Sequence, residues 1–346
     1  MDISVIITTV NRANNLRKGL DALLLQDFPP ASFEIIVVDN GSIDDTGKVC
    51  EDYIPKFKNF TYLYDARPGQ LIGWHRGLEI SQGEVCCFID DDVTPDPTWL
   101  LGVNDAYLVP EVGLATGPIR LAYEKAPPDW INHMLIGDPG GQTLPAFGLL
   151  DCGTSIKEIP GNFVWGTNFT VRKACLYDVK GFHPGAMPAH LLKFYGDAEV
   201  YVGRSIQNMG RKVLYHPSIS VVHNISEDRL SLSSIRSKFI TTGFSRSFTL
   251  LRQLKREFEL PSNEEFFDMT LRYFPDPNGT PKELIQTLQS GLKQGVTQHL
   301  GNFVGDENFR NWVLHDNYLN LDECYVHPEL VGGLISGDSF DWRSGN

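Results

Sequence analysis

The chain has 346 residues, 42% of them apolar and 21% charged, with a formal net charge of −13. That size and mixture fit a globular protein with a principal domain of about 200 to 250 residues plus an appendage, and the acidic balance argues against general nucleic-acid binding. The N-terminus lacks the basic flank and cleavage site of a signal peptide, and no apolar run reaches the roughly 18 residues of a membrane span, so a cytoplasmic protein is expected.

Over the first hundred residues, short apolar runs at 4–9, 34–38, 61–64 and 85–89 read as strands. Between them Leu16, Leu20, Leu23 and Leu24 repeat at helical spacing, and residues 44–56 and 71–80 form two further expected helices. This alternation implies an α/β protein with a mostly parallel sheet covered on both faces. Ligands on such sheets bind at the carboxyl ends of the strands. Three of these ends are polar: Thr8-Thr9-Val10-Asn11-Arg12, Asp39-Asn40-Gly41-Ser42 and Asp90-Asp91-Asp92. From residue 113 to 182 the pattern loosens, with Pro127-Pro128 and Gly140-Gly141 marking loops. A helical pattern returns at 195–209, strand-like runs follow at 212–215 and 219–223, and helical segments are expected at 231–258, 264–273 and 281–299. The stretch 337–342 reads as irregular. Two units are expected, residues 1–228 and a mainly helical extension, residues 229–346.

The six cysteines, Cys50, Cys86, Cys87, Cys152, Cys175 and Cys324, lack metal-ligand or disulfide-framework spacing and are expected to be reduced and structural. More chemistry resides in the acidic run. Strand alternation would put Asp90 and Asp92 on one side and Asp91 on the other. Clustered carboxylates are costly without a counter-ion. A hard divalent cation held by one or two of them, with phosphate oxygens completing its shell, removes that cost. The bland alternative is a solvated acidic turn before Pro95-Asp96-Pro97.

Taken with Gly83-Glu84, Gly166-Thr167-Asn168 before Arg172-Lys173, Gly181-Phe182, Gly196-Asp197-Ala198-Glu199 and His216-Pro217 before Val222-His223, the three polar strand ends resemble the family 2 glycosyltransferases. These are inverting enzymes with the GT-A nucleotide-diphospho-sugar transferase fold, and the resemblance covers residues 1 to about 225. It implies that Thr8, Thr9, Asn11 and Arg12 line the base pocket, that Asp39, Asn40 and Gly41 meet the nucleotide, usually uridine, and that Arg67 and Gly69 belong to the loop closing under base and ribose. Of the acidic run, Asp92 would bind Mn²⁺ or Mg²⁺ and Asp90 the ribose or a metal-bound water, with Asp91 beside them. His223 matches a position near metal and diphosphate, although a lone His after a strand is also a common structural residue. Where the family carries a Glu-Asp dyad this chain has Gly196-Asp197, so the resemblance makes Asp197 the base, with Glu199 in reserve. Helix capping is the alternative for Asp197, and a turn that caps the next helix is the alternative for Asp39. Trp165, Gly166, Thr167 and Asn168 are the acceptor-side candidates, with core packing the alternative for the Trp.

Between Arg229 and Arg256 there are seven basic residues and no acidic one, interleaved with apolar residues. That contrast fits an anion-facing surface for diphosphate, a lipid-linked acceptor or the inner membrane face, or else a packed helix with its basic side in water. The Gln-any-any-Arg-Trp motif and membrane helices of processive relatives are absent from the sequence. The expectation is a metal-dependent, inverting, non-processive glycosyltransferase that moves a sugar from a nucleotide-diphosphate donor, UDP-linked, to a hydroxyl of a glycan or glycolipid precursor. The rivals are a catalytically silent sugar-nucleotide-binding scaffold and a sugar nucleotidyltransferase, which would need a Gly-rich basic loop that residues 8–12 lack.

Overall fold

A computed structural model describes residues 2–138 and 140–332. Strands β1 (Ile3–Thr9), β2 (Phe33–Asp39), β3 (Phe60–Tyr64) and β4 (Val85–Asp90) alternate with helices α1 (Ala13–Leu24), α2 (Thr46–Tyr53) and α3 (Gln70–Ile80), as the apolar periodicity requires. Every residue of β2 is buried, which is the pattern of a parallel strand covered on both faces. Helix α1 turns Leu16, Gly19, Leu20 and Leu23 inward. Strand order reverses at β1, which has β2 on one side and β4 on the other. The register sets Thr9 beside Asp39 and Thr8 beside Asp90. The three polar strand ends therefore meet at the switch point, where such sheets open a crevice.

After β4 come β5 (Val93–Pro95), α4 (Trp99–Tyr107), β6 (Val112–Thr116), β7 (Ile119–Tyr123), β8 (Gln142–Leu144), β9 (Leu149–Asp151), β10 (Lys157–Glu158) and β11 (Phe169–Arg172). Helices α5 (Lys173–Asp178) and α6 (Ala198–Asn208) precede β12 (Lys212–Tyr215) and β13 (Val221–Ile225). The main sheet runs β10-β12-β6-β11-β4-β1-β2-β3, with β11 antiparallel to both of its neighbours. A second sheet, β5-β13-β7-β9-β8, was not foreseen from the loosened pattern of residues 113–182. Its strand β13 begins two residues later than expected and sets His223 opposite Val93, next to the acidic run.

Beyond β13 the chain is helical: α7 (Leu232–Leu254), α8 (Asn263–Leu271), α9 (Lys282–Gly305), α10 (Glu307–Leu314), and the short α11 (Leu321–Cys324) and α12 (Pro328–Gly332). The irregular stretch expected at 337–342 lies outside the described residues. Ser231 caps α7, its Oγ accepting from Ser234 N at 3.1 Å, and Ser262 with Glu265 forms a capping box on α8. These helices share the core of the main sheet through Phe248, Leu251, Phe309, Trp312 and Tyr318. Ile235 and Phe239 join Ile225 of the second sheet and Phe147, in the turn between β8 and β9, in another apolar cluster. Among the described residues no helix is long and apolar enough to cross a membrane.

Helices α7 and α9 approach so closely that Gly243 and Gly295, where they meet, cannot carry side chains. A Cβ on Gly295 would lie 2.1 Å from Ile240 O, and one on Gly243 would lie 2.5 Å from Leu292 O. Because backbone cannot yield as a flexible side chain can, Gly295→Ala is expected to cost about 2 kcal/mol or more of unfolding free energy. Gly301→Ala, on the same helix with nothing within 4 Å, should instead gain up to about 1 kcal/mol. Urea denaturation of the two variants checks the contrast, and equal effects would contradict it.

Candidate functional site

The acidic run does not continue as a strand. Strand β4 ends at Asp90, and Asp91 and Asp92 lie in the turn before β5, so the expected alternation of faces is not what the structure shows. Arg12 Nη1 instead reaches both Asp91 Oδ1, at 2.9 Å, and Asp92 Oδ2, at 3.1 Å. Thr9 Oγ1 donates to Asp91 Oδ2 at 2.7 Å. On the other side Asp92 Oδ2 lies 3.6 Å from Arg229 Nη1. Burial, opposed by Arg12, leaves the Asp91 carboxyl pushed up to about 6. Burial and the neighbouring Asp92 raise Asp90. Asp92 goes the other way: burial works to raise it, but His223 in its protonated form and the two arginines outweigh burial and hold it low.

His223 identifies what Asp92 faces. Its Nδ1 lies 2.7 Å from Phe147 O, while Arg229 Nη1 lies 3.1 Å from its Nε2. In the neutral ring, because a guanidinium can only donate and a carbonyl can only accept, the proton sits on Nδ1 and a lone pair on Nε2. That lone pair and the buried Asp92 Oδ1 are 3.3 Å apart, and Asp92 Oδ1 accepts no hydrogen bond of good geometry. A histidine fixed by a backbone carbonyl with its other nitrogen turned to a carboxylate is the usual support of a metal ligand. Among the described residues no group of three His, Cys, Asp or Glu could hold a metal unaided. The pair fits an ion that completes its shell with phosphate oxygens.

The nucleotide-side candidates form one connected rim. Asn11, at φ 53°, receives a hydrogen bond from Ile43 N on its Oδ1, and its own N donates to Ser42 Oγ, each at 2.8 Å. Asp39 is buried, with Oδ1 accepting from Ser42 N at 2.8 Å and Oδ2 from Tyr62 OH at 2.9 Å, so it builds the turn that carries Gly41 at φ 90°. Asn40 N donates to Thr9 O at 2.9 Å. Arg67 grips Asp65 with Nε at 3.0 Å and Nη2 at 2.7 Å and also reaches Asp322. Gly69, at φ 105°, leaves no room for a Cβ against Met187 Sδ. The next residue, Gln70, donates to Asp90 Oδ1 at 2.9 Å and ties this loop to the acidic run. Thr8 Oγ1 is buried without a hydrogen-bond partner.

The two acids of α6 have different surroundings. Asp197 is buried, its Oδ1 2.5 Å from His183 Nδ1 and its Oδ2 accepting from Thr249 Oγ1 at 2.6 Å. Burial works to raise Asp197, but His183 and the bond from Thr249 overcome it and hold the carboxyl below its ordinary value. It makes no side-chain capping bond to α6. Glu199 instead has electrostatic neighbours in Asp90 and Lys238, and burial raises its carboxyl. Its Oε1 accepts from Gly166 N at 3.2 Å. A cavity of about 330 Å³ is lined by Phe147, Met187, Arg229 and, among others, Tyr195 and Lys238, both electrostatic neighbours of Glu199. Of the remaining acceptor-side candidates, Trp165 is half-buried against the core, Thr167 is buried, and Asn168 is enclosed between Trp99 Nε1 at 3.0 Å and Ile219 O at 2.8 Å.

The sequence model of glycosyl transferase family 2 matches residues 4–175, about half the chain. The chain belongs to that family. The glycosyltransferase AglE of Haloferax volcanii is 28% identical over 191 residues, 55% of this chain and 57% of AglE, so the chain spans little more than half of that relative. The glucosyl-dolichyl phosphate glucuronosyltransferase of the same organism is 22% identical over 260 residues, 71% of this chain and 76% of its own. Among solved structures, S. aureus TarS 1-349 in complex with UDP-GlcNAc matches with a TM-score of 0.51 at 15% identity, covering 88% of this chain and 92% of that one. At that identity the likeness is one of fold.

In this glycosyltransferase Asp197, Glu199, His223, Arg229 and Lys238 all lie beyond the family match. Sequence reasoning missed Gln70 and His183, which carried no signal, and saw Arg229 and Lys238 only as members of a basic run. The contrast between the acids is measurable. Asp197→Asn removes a buried carboxylate that His183 and Thr249 both contact and should cost about 2 to 4 kcal/mol of stability, whereas Glu199→Gln should stay within about 1 kcal/mol. Because the Asp197 carboxyl is depressed in the fold, its contribution is present above the unfolded value near pH 4 and is lost below it. The Asp197→Asn deficit, followed by urea unfolding, should therefore shrink on acidification below about pH 4. A deficit that grows there would contradict the assignment.

Proposed function

We propose that this glycosyltransferase is metal-dependent, inverting and non-processive, and moves a sugar from a nucleotide-diphosphate donor, UDP-linked, to a hydroxyl of a glycan or lipid-linked precursor in the cytoplasm. The observation that carries the reading is the facing pair of Asp92 Oδ1 and His223 Nε2, with Arg229 beside both. Asp92 and His223 would hold Mn²⁺ or Mg²⁺, which when bound neutralises charge on the departing diphosphate. The UDP-GlcNAc held by the TarS structure and the lipid-phosphate substrate in the name of the Haloferax relative support donor and acceptor classes of this kind.

Residues 1–228 would make up the donor domain. Thr9, Asn11, Arg12 and the Asp39 to Gly41 turn frame the nucleotide, and Gln70 with Asp90 orients the ribose end. Arg229 leaves Asp92 to pair with the diphosphate, since a fork of donors matches phosphate oxygens. For the base the geometry favours Glu199 over Asp197. Both oxygens of Asp197 are already engaged within the fold, by His183 and Thr249, which suits it to positioning rather than to proton transfer. Glu199 neighbours Asp90 and holds a proton more readily than an ordinary carboxylate. It takes the proton of the acceptor hydroxyl as that oxygen bonds to the anomeric carbon. The bond from that carbon to the diphosphate breaks on the opposite face, which inverts the centre.

Calorimetric titration of UDP should show binding that needs Mn²⁺ and weakens about tenfold or more in Asp92→Asn. Glu199→Gln should bind UDP as the wild type does while its kcat falls about 10²- to 10⁴-fold. UDP binding indifferent to the metal and to Asp92 would contradict the donor site, and full activity in Glu199→Gln would contradict the base.

A further inference from the structure

Helix α7 shows two chemistries to two adjoining hollows. Ser234, Ser237, Lys238 and Thr241, spaced i, i+3, i+4 and i+7, line the 330 Å³ cavity. Phe239 and Thr242 face a second hollow of about 150 Å³, walled opposite by Met134, Ile136, Pro145 and Tyr273. Ala146 and Lys238 stand in both walls, so the hollows share a boundary.

In the larger hollow, Ser237 donates its hydroxyl proton to Ser233 O at 3.1 Å and Thr241 donates to Lys238 O at 2.7 Å. Both therefore present lone pairs, which suit the hydroxyls of a sugar or polyol. The smaller hollow is walled mainly by carbon and suits an apolar chain. Lys238 stands at the seam. Its Nζ makes no hydrogen bond or ion pair among the described residues. Others of the same basic run are engaged: Arg229 on His223 and Asp92, Arg236 on Ser290 and Gln294, Arg252 on Val313 O and His315 O. The Lys238 side chain is exposed to solvent, so an anion arriving at the seam would meet an ammonium not committed to any other partner.

Resting on the transferase reading above, we propose that the acceptor is an anionic amphiphile, with a hydroxyl-bearing head in the larger hollow, a phosphodiester at Lys238 and an apolar chain entering the smaller one. The position of the cation selects the linkage. An anion between head and chain must be bonded on both sides and still carry charge. A phosphodiester does so, whereas a carboxylate becomes neutral on esterification.

The test uses three probes below their micelle concentrations, titrated into the full chain saturated with UDP and Mn²⁺: octyl glycerophosphate, neutral octyl glucoside and chain-less methyl glycerophosphate. Octyl glycerophosphate should bind about tenfold or more tighter than either of the others, and Lys238→Gln should remove that advantage over octyl glucoside. Thr242→Phe, which fills the smaller hollow, should weaken both octyl probes and leave methyl glycerophosphate unchanged. UDP affinity reports the folding of each variant. Equal binding of octyl glucoside, indifference to Lys238→Gln, or displacement of UDP by octyl glycerophosphate would overturn the proposal while leaving the transferase reading in place. Failure of the wild type to bind UDP would overturn that reading instead.

Discussion

Asp90, Asp91 and Asp92 follow one another at a strand end where burial limits the water that could solvate them, and the surrounding structure is arranged to bring positive charge there. At an effective dielectric of about 20, two like charges 4 Å apart repel by about 4 kcal/mol, so three adjacent carboxylates cannot all ionise unaided. Arg12 answers Asp91 and Asp92 from the β1 side, and Arg229 answers Asp92 from the side of the second sheet. Asp90 keeps its preference for a proton and a bond from Gln70. What remains is Asp92 Oδ1, which accepts no hydrogen bond of good geometry and faces His223 Nε2 across 3.3 Å. Two electron-rich atoms held in that way call for a cation between or beside them, and a substrate-borne phosphate would bring the rest of its coordination shell.

The helical extension is part of this arrangement. Helix α7 packs on both sheets through its apolar side chains, and α9 lies against it with almost no side-chain volume between Gly243 and Gly295. Its N-terminal half carries Lys238 and follows directly on Arg229, and its C-terminal half supplies Thr249 to the Asp197 and His183 pair. One helix thus bounds the cavity and fixes the start of α6, on which Glu199 stands one residue beyond Ala198, at φ 43°. Sites built from rigid elements locate their groups more accurately than sites on loops.

How much of this could be read beforehand follows from physical range. Strands β1, β2 and β4 are continuous apolar runs ended by polar residues, so their existence and their shared carboxyl edge were legible. The second sheet was not: β5, β8 and β9 have three residues each, too short for a period-2 pattern to stand out. The alternation argument failed at Asp91 because strand geometry stops at Asp90, a boundary that one residue of sequence does not announce. Asp197 was singled out only by its resemblance to the family's acidic dyad, and its burial against His183 and Thr249 depends on partners 14 and 52 residues away. Arg229 and Lys238 were visible as a basic run in an acidic chain, and only the packing of α7 separates the arginine bound to Asp92 from the lysine facing a cavity.

The central claim is that Asp92 and His223 form a metal site completed by the donor diphosphate. A crystal structure of the full chain with UDP and Mn²⁺, with data collected at the manganese edge, tests it most directly. The account predicts an anomalous peak bonded to Asp92 Oδ1, His223 Nε2 and diphosphate oxygens, with Arg229 moved from His223 onto phosphate. UDP bound with no peak, or with Arg229 still donating to His223 and the metal elsewhere, would contradict it.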